Sequence, residues 1–251
     1  MLWGTAITLD VRDAVSVDAA DRVFRFFQHV DDLFSTWRED SEISRFACGQ
    51  LPWTRLSHEV REVLEMCERL RAESGGAFDI RVGADPRVPK RPGLGPIDPS
   101  GMVKGWALER AADMLRADGA YNFTINAGGD VIAVGQPRPG RPWRIGIQHP
   151  WERTKVAAVV EVNDLGIATS GRYERGDHTI DPRSGAPAIG LMSVTVIGPD
   201  LALADGHATA ALVLGEEGLN WLSGRAAAAM AITNDHTVIL VNDFDRYRAD
   251  Q

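Results

Sequence analysis

Apolar residues recur along this chain with two periods. Residues 3–11 alternate, with Ile7, Leu9 and Val11 on one face, which predicts a strand. From Asp18 to Phe34 the residues Ala19, Val23, Phe26, Phe27, Val30 and Phe34 fall at helical spacing. A second amphipathic helix is expected from Ser57 to Ala72, with Ser57 as N-cap and Val60, Val63, Leu64, Cys67 and Leu70 as its apolar stripe. A third runs from Met102 to Ala117 with Trp106, Ala107, Ala111 and Leu115 inward. Short strands follow at 121–126, 130–135, 143–147, 156–162 and 193–198. A helix is then expected at 200–214, a short one at 217–223, and strands at 227–233 and 237–242 around an Asn234-Asp235 turn. Between these elements, residues 84–99 hold Pro86, Pro89, Pro92, Pro96 and Pro99, a density of missing N–H groups that only an extended loop tolerates. Strands and helices alternate without a βαβ rhythm. The expected class is therefore α+β, with mixed, mostly antiparallel sheets and packed helices in a single domain over 1–251.

Composition narrows the function classes. Among the 251 residues, 27 Lys and Arg face 35 Asp and Glu, a net charge of −8, and no Lys/Arg-rich run appears, so a nucleic-acid partner is not expected. Cys48 and Cys67 match no metal spacing and no disulfide framework, and Cys67 reads as a packing residue. The first residues lead straight into a strand without signal-peptide features, and no apolar run approaches the ~18–20 residues that span a bilayer. A cytoplasmic protein with no membrane span is the expectation, and a homodimer is left open. Only Lys90, Lys104 and Lys155 are lysines, so the place of each one matters.

Four segments carry chemistry. Asp205 and Thr209 stand four apart and so share a helix face; both are hard oxygen donors suited to Mg²⁺ or another divalent cation, although Asp205 could equally be an N-cap. Asp98-Pro99-Ser100-Gly101 opens the third helix, whose free amides would favour an anion. Lys104 lies in its first turn, where a cation is unfavourable for the helix dipole and a nearby phosphate would account for it; an exposed surface lysine is the plainer reading. Gly128 and Gly129, in Asn126-Ala127-Gly128-Gly129-Asp130, permit close backbone approach to a ligand or a plain hairpin turn. His178 precedes Asp181-Pro182-Arg183-Ser184-Gly185, by itself a turn sequence.

In order, GTAITLDV, FSTWREDSEISRF, GGAFDI, DPSGMVKGWA, NAGGDV, IATSGRYERG, HTIDPRSGAP and SVTVIGPDLALADGHATAA resemble the ApbE-type flavin transferases, the FAD:protein FMN transferases, collinearly from about residue 3 to 215. The resemblance implies a T-fold-like architecture and a Mg²⁺-dependent enzyme. Its reaction moves the FMN phosphoryl group of FAD onto a Thr or Ser hydroxyl of a partner flavoprotein bearing an Asp-x-x-Thr/Ser-Gly-Ala-Thr/Ser motif, with AMP leaving. It implies metal ligation by Asp205, Thr209 and the carbonyl of Gly101. FAD contacts are implied at Trp3, Trp37, Ala77, Phe78, Asp79, Asp98 and Lys104, with His178 beside the flavin nucleotide. For the mechanism this suggests, amides at Gly128 and Gly129 would join Lys104 in supplying positive potential, and His178 would take the acceptor's proton, with Asp205 the alternative base.

The chain also departs from the family pattern. Trp3 stands where methionine is usual and Trp37 where tyrosine is usual, Arg172 replaces an often acidic residue, and Pro99-Ser100 replaces a Leu-Gly pair. Several dozen residues that the family carries between GGAFDI and DPSG are reduced to the Pro-rich 84–97 loop, so this is a shortened member. Two other readings follow from that loss: an FAD pyrophosphate hydrolase releasing FMN and AMP, or a flavin-binding protein without catalysis.

Overall fold

Strand β1 (Ile7–Val11) is followed by α1 (Ala19–Phe34), α2 (Glu42–Ala47) and α3 (His58–Glu73), then α4 (Ser100–Ala117). A second run comprises β2 (Phe123–Ala127), β3 (Asp130–Val134), β4 (Trp143–Gln148), β5 (Val156–Val162), β6 (Leu165–Gly171) and β7 (Leu191–Gly198). Helices α5 (Leu201–Leu214) and α6 (Glu216–Ser223) precede β8 (Ala228–Thr233) and β9 (Val238–Val241). This computed structural model describes residues 4–81, 97–172, 179–225 and 227–249. The proline-rich loop at 84–97 lies almost wholly outside the described residues, as do Trp3 and His178.

Seven strands form one sheet in the order β1-β2-β3-β6-β7-β8-β9, and every neighbouring pair is antiparallel. The chain departs from neighbour-to-neighbour order once, after β3, where the β4–β5 hairpin forms its own two-stranded sheet before β6 rejoins. Strand alternation explains why one sheet supports two cores. On β3, Ile132 and Val134 face the helices while Val131 and Ala133 face the hairpin side. On β8, Ala229 and Ala231 pack toward the helices, whereas Ala228, Met230 and Ile232 meet Trp143, Ile147, Val160 and Phe244.

The helix periodicities hold nearly to the residue. Ser57 accepts the Val60 amide at 3.2 Å and α3 buries Val60, Val63, Leu64, Cys67 and Leu70, as the stripe predicts. Helix α4 begins at Ser100 rather than Met102, so Gly101 belongs to its first turn and Lys104 opens the second. Two elements were not legible. Helix α2 has six residues, too few for a period, and is started by Ser41 accepting the Ser44 amide. Strand β6 was hidden by small residues, Gly166, Ala168 and Ser170, on its helix-facing side, which lack the β-branched bulk that marks a strand. The packing requires them to be small, because a Cβ on Gly166 would lie 2.7 Å from Cβ of Leu201.

Candidate functional site

Three glycines let α3, α4 and α5 meet at close range. A Cβ on Gly105 would lie 2.5 Å from the Leu201 carbonyl oxygen and 2.7 Å from Cα of Ala202, so α4 touches the first turn of α5 backbone to backbone. Gly206 would place a Cβ 2.4 Å from Leu70 and 2.9 Å from Met102, which brings α3 and α4 against the same helix. A Cβ on Gly101 would sit 3.3 Å from both Thr209 Oγ1 and the Phe78 ring. Glycine at 101 thus leaves a cradle between its own backbone, the Thr209 hydroxyl and Phe78.

Asp205 lies in this helix one turn before Thr209 and is 4% exposed, with one carboxylate oxygen sealed from solvent. It is not the N-cap of α5. That place belongs to Asp200, whose Oδ1 accepts the Leu203 amide at 2.9 Å. The neighbouring Cys67 reports the same local charge: burial first, then the carboxylates of Asp205 and Asp98, push its thiol above the usual range. Thr209 is oriented in turn by Ser170, the two hydroxyl oxygens lying 2.9 Å apart. The donors gathered here are a carboxylate, a hydroxyl and, from the facing α4 turn, the Gly101 carbonyl, which would lie 3.8 Å from a Cβ on Gly206. Hard oxygens around an open cradle fit Mg²⁺. Among the described residues no cluster of three or more His, Cys, Asp or Glu offers the alternative of a soft-metal site.

Lys104 projects into the same region and is held by Asp130, with Nζ 2.6 Å from Oδ2. The carboxylate is 1% exposed at the side chain, and its other oxygen accepts the Thr169 amide at 3.0 Å. The anion that accounts for a cation near the start of α4 is therefore in the protein itself, and Lys104 is not the exposed surface lysine of the plainer reading. Neither Asp130 nor Ser170 stood out in the sequence. Asp130 ends the Gly-Gly turn and reads as a turn residue, while Ser170 reads as part of a loop because β6 was not recognised.

The remaining candidates divide. Phe78 lines the cradle and is held by its amide donating to Ser74 Oγ at 3.0 Å. Ala77 is buried beside it, and Asp79 pairs with Arg81 at 3.0 Å. Asp98 joins this stretch through its amide to the Ile80 carbonyl, 2.7 Å, and caps the start of α4 by accepting the Ser100 amide at 3.0 Å. The turn at 181–185 packs on the same segment, since a Cβ on Gly76 would meet Cγ of Arg183 at 3.6 Å. His178, just before that turn, lies outside the described residues.

Gly128 and Gly129 form the two-residue β2–β3 hairpin turn, both with positive φ, 62° and 100°. Their amides donate to the Ala6 carbonyl and to Asn126 Oδ1, so the positive potential expected of them is spent within the chain. Trp37 is 55% exposed in the α1–α2 connection, and no described contact joins it to the cradle.

The model of the ApbE family matches residues 3–92 and 85–232, two stretches that meet within the proline-rich segment. A FAD:protein FMN transferase of Klebsiella pneumoniae is 31% identical over 240 residues, covering 74% of this chain and 68% of that protein. One of the same name from Vibrio cholerae is 31% identical over 242 residues, covering 77% and 72%. The solved flavin transferase ApbE from Vibrio cholerae superimposes with a TM-score of 0.84 at 28% identity, over 98% of this chain and 97% of that one. No helix among the described residues is long and apolar enough to cross a membrane. A family match across most of the length, on a fold shared with a solved ApbE flavin transferase, places the chain in the ApbE family.

Proposed function

We propose that the protein is an FAD:protein FMN transferase that uses a divalent cation. In this reaction a Thr or Ser Oγ of the acceptor protein forms a bond to the FMN phosphorus of FAD. The bond from that phosphorus to the bridging oxygen breaks, AMP leaves with the electron pair, and the hydroxyl proton passes to a base. The observation that carries the reading is the convergence of Gly101, Asp205 and Thr209 on one oxygen-lined cradle, in a chain of this family. Asp205, Thr209 Oγ1 and the Gly101 carbonyl would hold Mg²⁺, which would supply positive charge to the pyrophosphate and the departing AMP.

The protein's own groups do the rest. Lys104 adds a fixed cation, Phe78 and the adjoining Ala77, Asp79 and Asp98 backbone wall the nucleotide, and Trp3 and Trp37 offer indole faces to a ring. His178 takes the acceptor proton. The buried position of Asp205 suits it to ligation, where its charge is used, better than to accepting a proton from a bulky protein substrate.

The test is incubation of the purified protein with FAD, Mg²⁺ and an acceptor carrying the Thr/Ser motif. Flavin fluorescence is read in a denaturing gel, and the acceptor's mass and the released nucleotide are measured. Covalent flavin on the acceptor with equimolar AMP is expected. Free FMN and AMP with an unlabelled acceptor would identify a hydrolase and overturn the proposal.

A further inference from the structure

Asp130 is the buried charged group nearest the cradle to which the transfer reaction gives no task. A carboxylate this deeply buried is costly unless its charge is matched and its oxygens are bonded. Groups from separate parts of the fold match the charge and bond one of the two oxygens. Oδ2 faces Lys104 Nζ of α4 at 2.6 Å, and Oδ1 accepts the Thr169 amide of β6 at 3.0 Å. Thr169 is locked in place by its own hydroxyl, 2.9 Å from that of Thr195 on β7, and precedes Ser170, whose hydroxyl meets Thr209 of α5 at 2.9 Å. One carboxylate thus ties the α4 side of the cradle, with Gly101 and Lys104, to the β6–α5 side, with Ser170 and Thr209. The hairpin helps to place it: Gly128 and Gly129, both at positive φ, return the chain so that β3 begins at Asp130 beside Ala127.

We infer that Asp130 is a positioning residue for flavin transfer, holding the Lys104 ammonium at the place where the pyrophosphate of FAD binds. A lysine has a long, freely rotating stem, and a fixed carboxylate removes that freedom before the ligand arrives. Asp130 touches neither substrate nor metal and acts through Lys104. The inference rests on the reading of Lys104 as an FAD-binding residue, and the test separates the two.

FAD affinity is measured by quenching of flavin fluorescence, with Mg²⁺ and without acceptor, for the wild type, Lys104→Met, Asp130→Asn and the double variant. Asparagine keeps an oxygen for the Thr169 amide and removes the charge. The expected result is a loss of about 10- to 100-fold for each single variant, the scale of a hydrogen bond to a charged group, with the double variant no weaker than Lys104→Met alone. A merely structural role would move the melting temperature but would not produce this non-additivity.

A weakened Lys104→Met beside an unaffected Asp130→Asn would overturn the positioning role and leave the FAD reading standing. An unaffected Lys104→Met would overturn both. If Asp130→Asn does not fold, Asp130→Ser, smaller and likewise uncharged, takes its place in the same comparison. A loss of FAD affinity that is absent from the Lys104→Met background supports the inference, and wild-type affinity overturns it.

Discussion

Gly105→Ala is the substitution that most directly tests how the cradle is assembled. The added methyl would stand 2.5 Å from the Leu201 oxygen, 2.7 Å from Ala202 Cα and 2.8 Å from Ala202 N, all backbone atoms that no rotamer change can move. Restoring ordinary contact requires α4 and α5 to part by roughly 0.6–0.9 Å. Overpacking of this kind costs about 1–3 kcal/mol. The better helix propensity of alanine returns roughly 1 kcal/mol. The net loss of up to about 2 kcal/mol corresponds to a fall in melting temperature of up to about 8 °C for a chain of this size.

The functional loss should exceed what that figure suggests, because Gly101 lies one turn before Gly105 and Thr209 lies across the same seam. A displacement of this size takes a site out of productive geometry, and a loss on the order of 10- to 100-fold in kcat/KM is expected. Gly218→Ala is the matched control. Its methyl would lie 2.4 Å from the Ala211 oxygen, also backbone, but between α5 and α6. Thermal melts, Mn²⁺ binding followed by electron paramagnetic resonance, and flavin transfer should be compared for both variants. Gly105→Ala should lose stability, metal binding and transfer together, while Gly218→Ala loses stability alone. A destabilised Gly105→Ala that bound Mn²⁺ and transferred flavin at wild-type levels would refute the claim that this contact registers the two halves of the site.

Three further substitutions probe the same region. Asp205→Asn keeps the shape of a buried carboxylate and removes its charge, so Mn²⁺ binding and Mg²⁺-dependent transfer should both disappear while far-UV circular dichroism is unchanged. Ser170→Ala removes the hydroxyl that orients Thr209 and should weaken Mn²⁺ binding by about 10- to 100-fold, the usual scale for a group behind a ligand. Glu109 on α4 accepts the Leu201 amide at 2.7 Å, and burial raises its pKa above the ordinary glutamate value. The folded state therefore binds the proton more tightly than the unfolded state, and stability declines as pH rises from the ordinary value through the folded one. Glu109→Gln preserves an oxygen for Leu201 and removes that penalty. Its melting temperature should exceed the wild type's at pH 8, with the gap closing as pH falls toward the ordinary glutamate value.

What could be read in advance follows from how far each signal reaches along the chain. Helices α1, α3, α4 and α5 are long enough for a period to show, and the Asp205–Thr209 pair is a spacing within one of them. The N-cap alternative for Asp205 was resolved only by Asp200, five residues earlier, whose capping bond depends on where the helix starts. Strand β6 was missed for the reason that makes it useful. Its helix-facing residues are small so that α5 can approach, and the same smallness erases its strand signature. Asp130 escaped because its meaning is entirely tertiary: its two partners lie 26 residues before it and 39 after it in the chain. At Gly128 and Gly129 the local pattern allowed both ligand contact and a plain hairpin turn, and the amides bond Ala6 and Asn126.

These cases share a physical cause that bears on how the site works. The proposed liganding atoms are individually ordinary, a helical Asp-x-x-x-Thr pair and one carbonyl, and they would form a site only where α4 and α5 touch backbone to backbone. Gly105 permits that approach, Glu109 bonds the first amide of α5 from α4, and Asp130 joins α4 to the strand behind Thr209. Gly105 and Glu109 both act at the first turn of α5, and Asp130 acts at the strand behind Thr209. Loosening any one of them should reduce metal and flavin affinity without touching a ligand. The proposed donors would suit a hard cation, and the seam would decide whether that cation met three donors or one.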